Sequence, residues 1–152
     1  MNRSALSRLA LAGLVTGVAD GLFSSVLAEV FYGSSAKRLF QGAASTLLGK
    51  SALEGGTRTA LIGILMHFGV AFAWSAVFLI LYERSSLIRR AGVIPVAAIY
   101  GPVVWMVMSL LVIPLLVHRP PTITIRWWIQ FFGHMLFVGF PIVSIISRGE
   151  RR

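Results

Sequence analysis

Four apolar runs, residues 9–32, 58–82, 93–117 and 127–147, occupy most of this chain. Each is long enough to cross a bilayer as a helix, which takes about 20 residues. Hydrocarbon offers no partner to backbone N–H and C=O groups, so a lone apolar run satisfies them internally by coiling into a helix. The expected fold is therefore an all-α membrane protein: one integral domain of four transmembrane helices in an up-down bundle. Short connections favour antiparallel neighbours.

Composition supports this. Hydrophobic residues make up 57% of the 152 residues and charged residues 12%, against about 45–50% and about 25% in soluble domains. The chain has no cysteine, which excludes disulfides and thiolate metal sites. The net charge of +9 raises the question of nucleic acid, and its distribution answers it. Every basic residue lies in a terminus, a connection or at the edge of a run. That is the membrane pattern, with cations at the level of anionic headgroups, so the expected partner is the lipid bilayer and not nucleic acid.

Arg3, Arg8, Arg84, Arg89, Arg90, Arg148, Arg151 and Arg152 would lie on one side, and Lys37, Arg38, Lys50, Arg58, Arg119 and Arg126 on the other. The excess, concentrated in the short 83–92 connection, favours cytoplasmic N- and C-termini. A competing reading of the N-terminus is a signal peptide cut after Val26-Leu27-Ala28, which would remove the first span. Asp20 and Phe23, and the apolar stretch that resumes beyond Ala28, argue for a retained span.

Gly13, Gly17 and Gly21 repeat every fourth residue along one face of the first span. Such a face lets another helix approach closely. It marks either a contact within the bundle or an assembly surface for a second copy or another membrane protein. In the long connection, Leu39, Phe40, Ala43, Ala44, Leu47, Leu48, Ala52 and Leu53 recur with a period near four. This predicts an amphipathic helix over about 36–53, lying in the interface and capped by the Gly33-Ser34-Ser35 segment; a re-entrant hairpin is the alternative. Thr57 or Thr59 is the expected cap of the second span. There, Ala60, Gly63, His67, Ala71 and Ser75 form a small and polar stripe expected to face other helices, with Leu65, Phe68, Phe72 and Leu79 covering the rest. Pro95, Pro102 and Pro114 punctuate the third span, and the expected bend is at Tyr100-Gly101-Pro102. Arg126, Trp127 and Trp128 read as an interface anchor.

Each run carries about one buried-looking polar group at nearly the same depth: Asp20, His67, Ser109 and His134. At 1.5 Å per residue, His67, Ser109 and His134 lie about 12–13 Å in from the same membrane side, and Asp20 about 18 Å. A charged aspartate near the bilayer centre costs at least about 2.5 kcal/mol, so it must find a partner, water or a proton. Imidazoles at similar depth are suitable partners. Three readings follow. In the first, the layer is a structural tie between helices. In the second, it can bind or move a proton, an ion or a small polar ligand at Asp20, His67, Ser109 and His134. In the third, His67 and His134 ligate a b-type haem or a metal. No Gly-x-Ser-x-Gly, His-Glu-x-x-His or phosphate-binding glycine loop appears, so no enzyme is expected, and no cofactor is required.

From Ser109 onward the order of residues resembles the YagU-type family of bacterial inner-membrane proteins. The likeness rests on Ser109 with Pro114 and Leu115, the Pro120-Pro121 pair, Trp127 or Trp128, and Phe132-Gly133-His134 before a basic end at Arg148. His67 and Tyr82-Glu83 are similar too. The first connection departs from the family by being shorter and cysteine-free. The resemblance implies a multi-span protein of the bacterial inner membrane and no particular activity.

Overall fold

A computed structural model describes residues 3–148. Among them all regular structure is helical. Four helical stretches, Ser4–Tyr32, Gly56–Arg84, Val93–Val117 and Ile125–Ser147, are long and apolar enough to cross a membrane; they are spans 1 to 4 below. Span 1 belongs to helix α1 (Arg3–Tyr32), unbroken through Val26-Leu27-Ala28. Next come α2 (Ala36–Leu48), a 3₁₀ segment (Lys50–Glu54), α3 (Gly56–Arg84, span 2) and the short α4 (Ser86–Arg90). Span 3 is α5 (Val93–Met106), a π-helical stretch (Val107–Val112) and α6 (Ile113–Val117). Span 4 is α7 (Ile125–His134), a second π stretch (Met135–Gly139) and α8 (Phe140–Ser147).

The outer surface is what a bilayer requires. Leu65, Ile94 and Leu136 are 72%, 75% and 67% exposed, among many other outward leucines, isoleucines and valines. So large an apolar belt is not stable against water. Span 4 is the axis of the bundle: 56% of its most apolar stretch is buried, against 17–28% in the other three spans. It packs on spans 1 and 3 and, through α8, on span 2, while span 2 lies mainly along span 1.

Glycines set the closest approaches. A Cβ at Gly101 would meet the carbonyl of His134, and one at Gly139 the carbonyl of Ala97, so spans 3 and 4 cross backbone against backbone. Between spans 1 and 2 the glycine face meets rings instead: Phe72 fills the notch at Gly13, Phe68 that at Gly17, and His67 lies against Gly21. The Gly13–Gly17–Gly21 face is therefore taken up within the chain and is not free for a partner. Phe68 and Phe72 pack on span 1 instead of covering the lipid face, and Leu79, expected outside, is 2% exposed. The stripe itself behaves as expected, since Ala60, Gly63, Ala71 and Ser75 are buried.

Both π-helical stretches end just before a proline, Pro114 and Pro141. Proline has no N–H and its ring collides with the carbonyl four residues back; a widened turn ahead of it accommodates both. The irregular hydrogen bonding in span 3 thus falls at 107–112, and Pro102 sits inside a continuous helix.

The amphipathic segment differs from its expectation. The helix stops at Leu48, where Gly49 takes φ 77°, and does not reach residue 53. Ser35 caps it, accepting from the Arg38 N–H at 3.3 Å. The docked face carries Gln41 and Ala44, while Leu47 and Leu48 are exposed. Gly63 makes room for the Phe40 carbonyl, and Gln41 Nε2 donates to the Gly56 carbonyl at 3.0 Å. The helix also touches span 1 and α6, so it is docked against one end of the bundle. Thr59 does not cap span 2; its hydroxyl donates to the Ala52 carbonyl at 2.6 Å and ties down the 3₁₀ segment.

The dry core lies at the opposite end. Ala5, Phe78, Leu79, Tyr100, Ile142 and Ile146 are among its members, and Arg8 closes it by donating to the Ile146 carbonyl at 2.6 Å. Asp20, His67 and His134 lie outside this cluster, toward the end that carries α2 and the 118–124 connection.

Candidate functional site

Span 1 carries Asp20, span 2 His67 and span 4 His134, and the bundle brings the three together. Asp20 Oδ2 is 4.0 Å from Nδ1 of His67, and Oδ1 is 3.9 Å from Nε2 of His134. Neither distance is a hydrogen bond. Both are far inside the roughly 10 Å beyond which even one bridging water could not connect the groups. The Asp20 side chain is 16% exposed, His67 19% and His134 7%. Asp20 Oδ1 is fully buried and has no hydrogen-bond partner among the described residues.

The rings are fixed from behind. His67 Nε2 lies 2.9 Å from the carbonyl of Gly17; the missing side chains at Gly17 and Gly21 let the ring come this close. His134 Nδ1 lies 2.8 Å from the carbonyl of Gln130, one turn back on the same helix. A carbonyl only accepts, so each of these nitrogens carries the N–H. In a neutral imidazole the other nitrogen then holds a lone pair. The other ring nitrogens, Nδ1 of His67 and Nε2 of His134, are the ones nearest the carboxyl of Asp20. The centre thus gathers one carboxyl and two imidazoles, each of a type that can hold or release a proton.

Aromatic rings wall the centre. Phe40 and Phe68 stand edge-on to His67 at 5.7 and 5.8 Å between centroids, and Trp105 lies 4.8 Å from His134. Phe40 comes from α2, so the docked helix forms part of the enclosure.

Ser109 does not join this centre. Its hydroxyl accepts from the Trp127 indole at 2.9 Å, and it lines a separate groove. Helical phase explains the difference: depth estimated from the sequence says how far in a residue lies, not which way it points. Trp127 is 8% exposed and serves the bundle interior; Trp128, 47% exposed, keeps the outward position expected of an anchor.

Two contributors went unrecognised in the sequence. Gln130 is 4% exposed, and its Nε2 lies 3.3 Å from the Ser24 hydroxyl. Ser24 is one turn beyond Asp20 and Gln130 one turn before His134, so spacing of four from the ionisable residues is the signal that marks them.

The haem reading fits these residues poorly. A bis-imidazole haem needs two nitrogens facing one iron across a flat ring, and here both face the carboxylate of Asp20. Among the described residues no group of three or more His, Asp or Glu side chains is arranged to hold a metal ion.

No protein-family model matches the chain, and neither a curated protein nor a solved structure matches it.

Proposed function

We propose that this chain is a multi-pass protein of the bacterial inner membrane that binds one proton between Asp20, His67 and His134 and exchanges it with the side to which the α2 end of the bundle faces. The observation that carries the reading is the approach of one ring nitrogen of His67 and one of His134 to the Asp20 carboxyl, at 4.0 and 3.9 Å. A shift of about 1 Å closes either gap to hydrogen-bond length, so the proton can pass between the carboxylate and either ring. The close-packed apolar cluster at the other end supports one-sided access. The distribution of basic residues supports cytoplasmic termini, which turns the α2 end outward. The likeness to the YagU-type family supports the inner-membrane assignment.

The second reading is a structural tie, favoured by the backbone bonds that anchor both rings. Asp20→Asn separates the two. The amide is nearly isosteric and can donate to either lone pair, so folding is preserved while the site loses its titratable carboxyl. Infrared difference spectra of the protein in liposomes, taken across a pH step, would carry a carboxyl band in the wild type that is missing in Asp20→Asn at unchanged helix content. Identical spectra for the two proteins, with only a stability difference, would reject proton binding in favour of the tie.

A further inference from the structure

A groove of about 290 Å³ opens beside the centre, near the lower end of the size range of small-molecule sites. The charge in its lining is positive: Arg119 and Arg126 belong to it, and among the described residues no acidic side chain does. Its walls are apolar, from Trp105, Ile113, Pro114 and Trp127, and Gln130 also lines it.

Two polar atoms here have no partner among the described residues: Arg126 Nε, a donor, and Gln130 Oε1, an acceptor, both fully buried. They are four residues apart on α7 and so share a face, about 6 Å from each other at the backbone. Leaving such groups unpaired costs about 1–3 kcal/mol each, more for a charged one. The Arg126 guanidinium is already held, with its carbon 5.0 Å from the centroid of the Tyr32 ring. A cation held over a ring in this way keeps N–H donors available to an oxyanion. The other end of the Gln130 amide is engaged by Ser24. A hydroxyl both donates and accepts, so it satisfies the free end whichever way the amide is turned.

We infer that the groove binds a phosphate ester that carries a hydroxyl, with the phosphate at Arg126 and Arg119 and the hydroxyl at Gln130. Glycerol phosphate has this chemistry, either as a free solute or as the headgroup of phosphatidylglycerol. The apolar walls suit the glycerol backbone and the start of an acyl chain. The site stands on its own residues and survives if the proton reading fails.

The test uses the full chain in phosphatidylcholine nanodiscs. In one arm, glycerol phosphate is titrated by calorimetry and compared with inorganic phosphate. In the other, phosphatidylglycerol is mixed into the disc and lipid retained per chain is counted by native mass spectrometry. The expected result is saturable binding in at least one arm, and the responding arm identifies the source. Losing one charge-assisted contact in Arg126→Gln should weaken it about tenfold. Arg119→Gln, in an exposed connection where folding is not at stake, should weaken it as well. Gln130→Leu should abolish the preference for glycerol phosphate over inorganic phosphate. The inference is overturned by no binding in either arm, by binding that both arginine variants leave unchanged, or by inorganic phosphate binding as tightly as its glycerol ester.

Discussion

Replacing Gly17 by alanine puts one methyl group where span 2 leaves no room. The new Cβ would lie 2.5 Å from Cε1 of Phe68 and 3.2 Å from its Cγ, against about 3.5–4.0 Å for carbon atoms in contact. The ring must retreat by about 1 Å, and it adjoins His67 in sequence. Overpacking of this kind costs about 1–3 kcal/mol. The same displacement stretches the 2.9 Å contact between His67 and the Gly17 carbonyl, a hydrogen bond worth about 0.5–1.5 kcal/mol. The two sum to about 1.5–4.5 kcal/mol. Unfolding by steric trapping in bicelles measures the loss, and nitrogen NMR of the His67 ring reports whether the Nε2 bond survives. Gly69→Ala is the control, since nothing lies within 4 Å of its Cβ position; there alanine should be neutral or stabilising by up to about 1 kcal/mol. Combining Gly17→Ala with Phe68→Ala should restore the His67 signal by making space. If Gly17→Ala costs less than about 0.5 kcal/mol and leaves the His67 resonance in place, the notch-and-ring account of spans 1 and 2 is wrong.

Gly101→Ala is expected to be more damaging, by at least about 3 kcal/mol, because its Cβ meets backbone atoms of His134 and Met135 that cannot swing aside. Separation of spans 3 and 4 would also displace His134, so the Asp20 infrared band should shift; an unchanged band with wild-type stability would contradict this. Ser109→Ala strands the indole N–H of the buried Trp127 and should cost about 1–3 kcal/mol, visible by thermal unfolding, while leaving the Asp20 band alone; loss of that band would mean Ser109 belongs to the centre after all. His118 ends α6 at φ 52°, a conformation that glycine adopts without strain, so His118→Gly should stabilise by about 0.5–1 kcal/mol in the same assay. A lowered melting temperature would refute the strain argument.

How much was legible varies by residue. Asp20, His67 and His134 stood out because an ionisable group in hydrocarbon demands a partner, and each demand could be placed by depth from its own helix. Ser109 was chosen by the same depth and turned elsewhere, because depth is a coordinate along one axis while contact also needs rotation about it. Gln130 and Ser24 were overlooked because an amide and a hydroxyl raise no such demand until their partners are known. The glycines of span 1 announced a close contact but not its occupant; Phe68 and Phe72 read equally well as lipid-facing. The interface helix was drawn too long because its apolar period continues past Gly49, whereas the backbone turns there.

The chain's local chemistry was enough to specify four membrane-length helices and the presence of a stranded acid, since both follow from transfer of single residues between water and hydrocarbon. Which helix became the axis, which ring filled which notch, and that two imidazoles converge on one carboxyl were decided by the bundle. Those outcomes depend on the rotation and offset of one helix against another, and a one-dimensional pattern does not encode them.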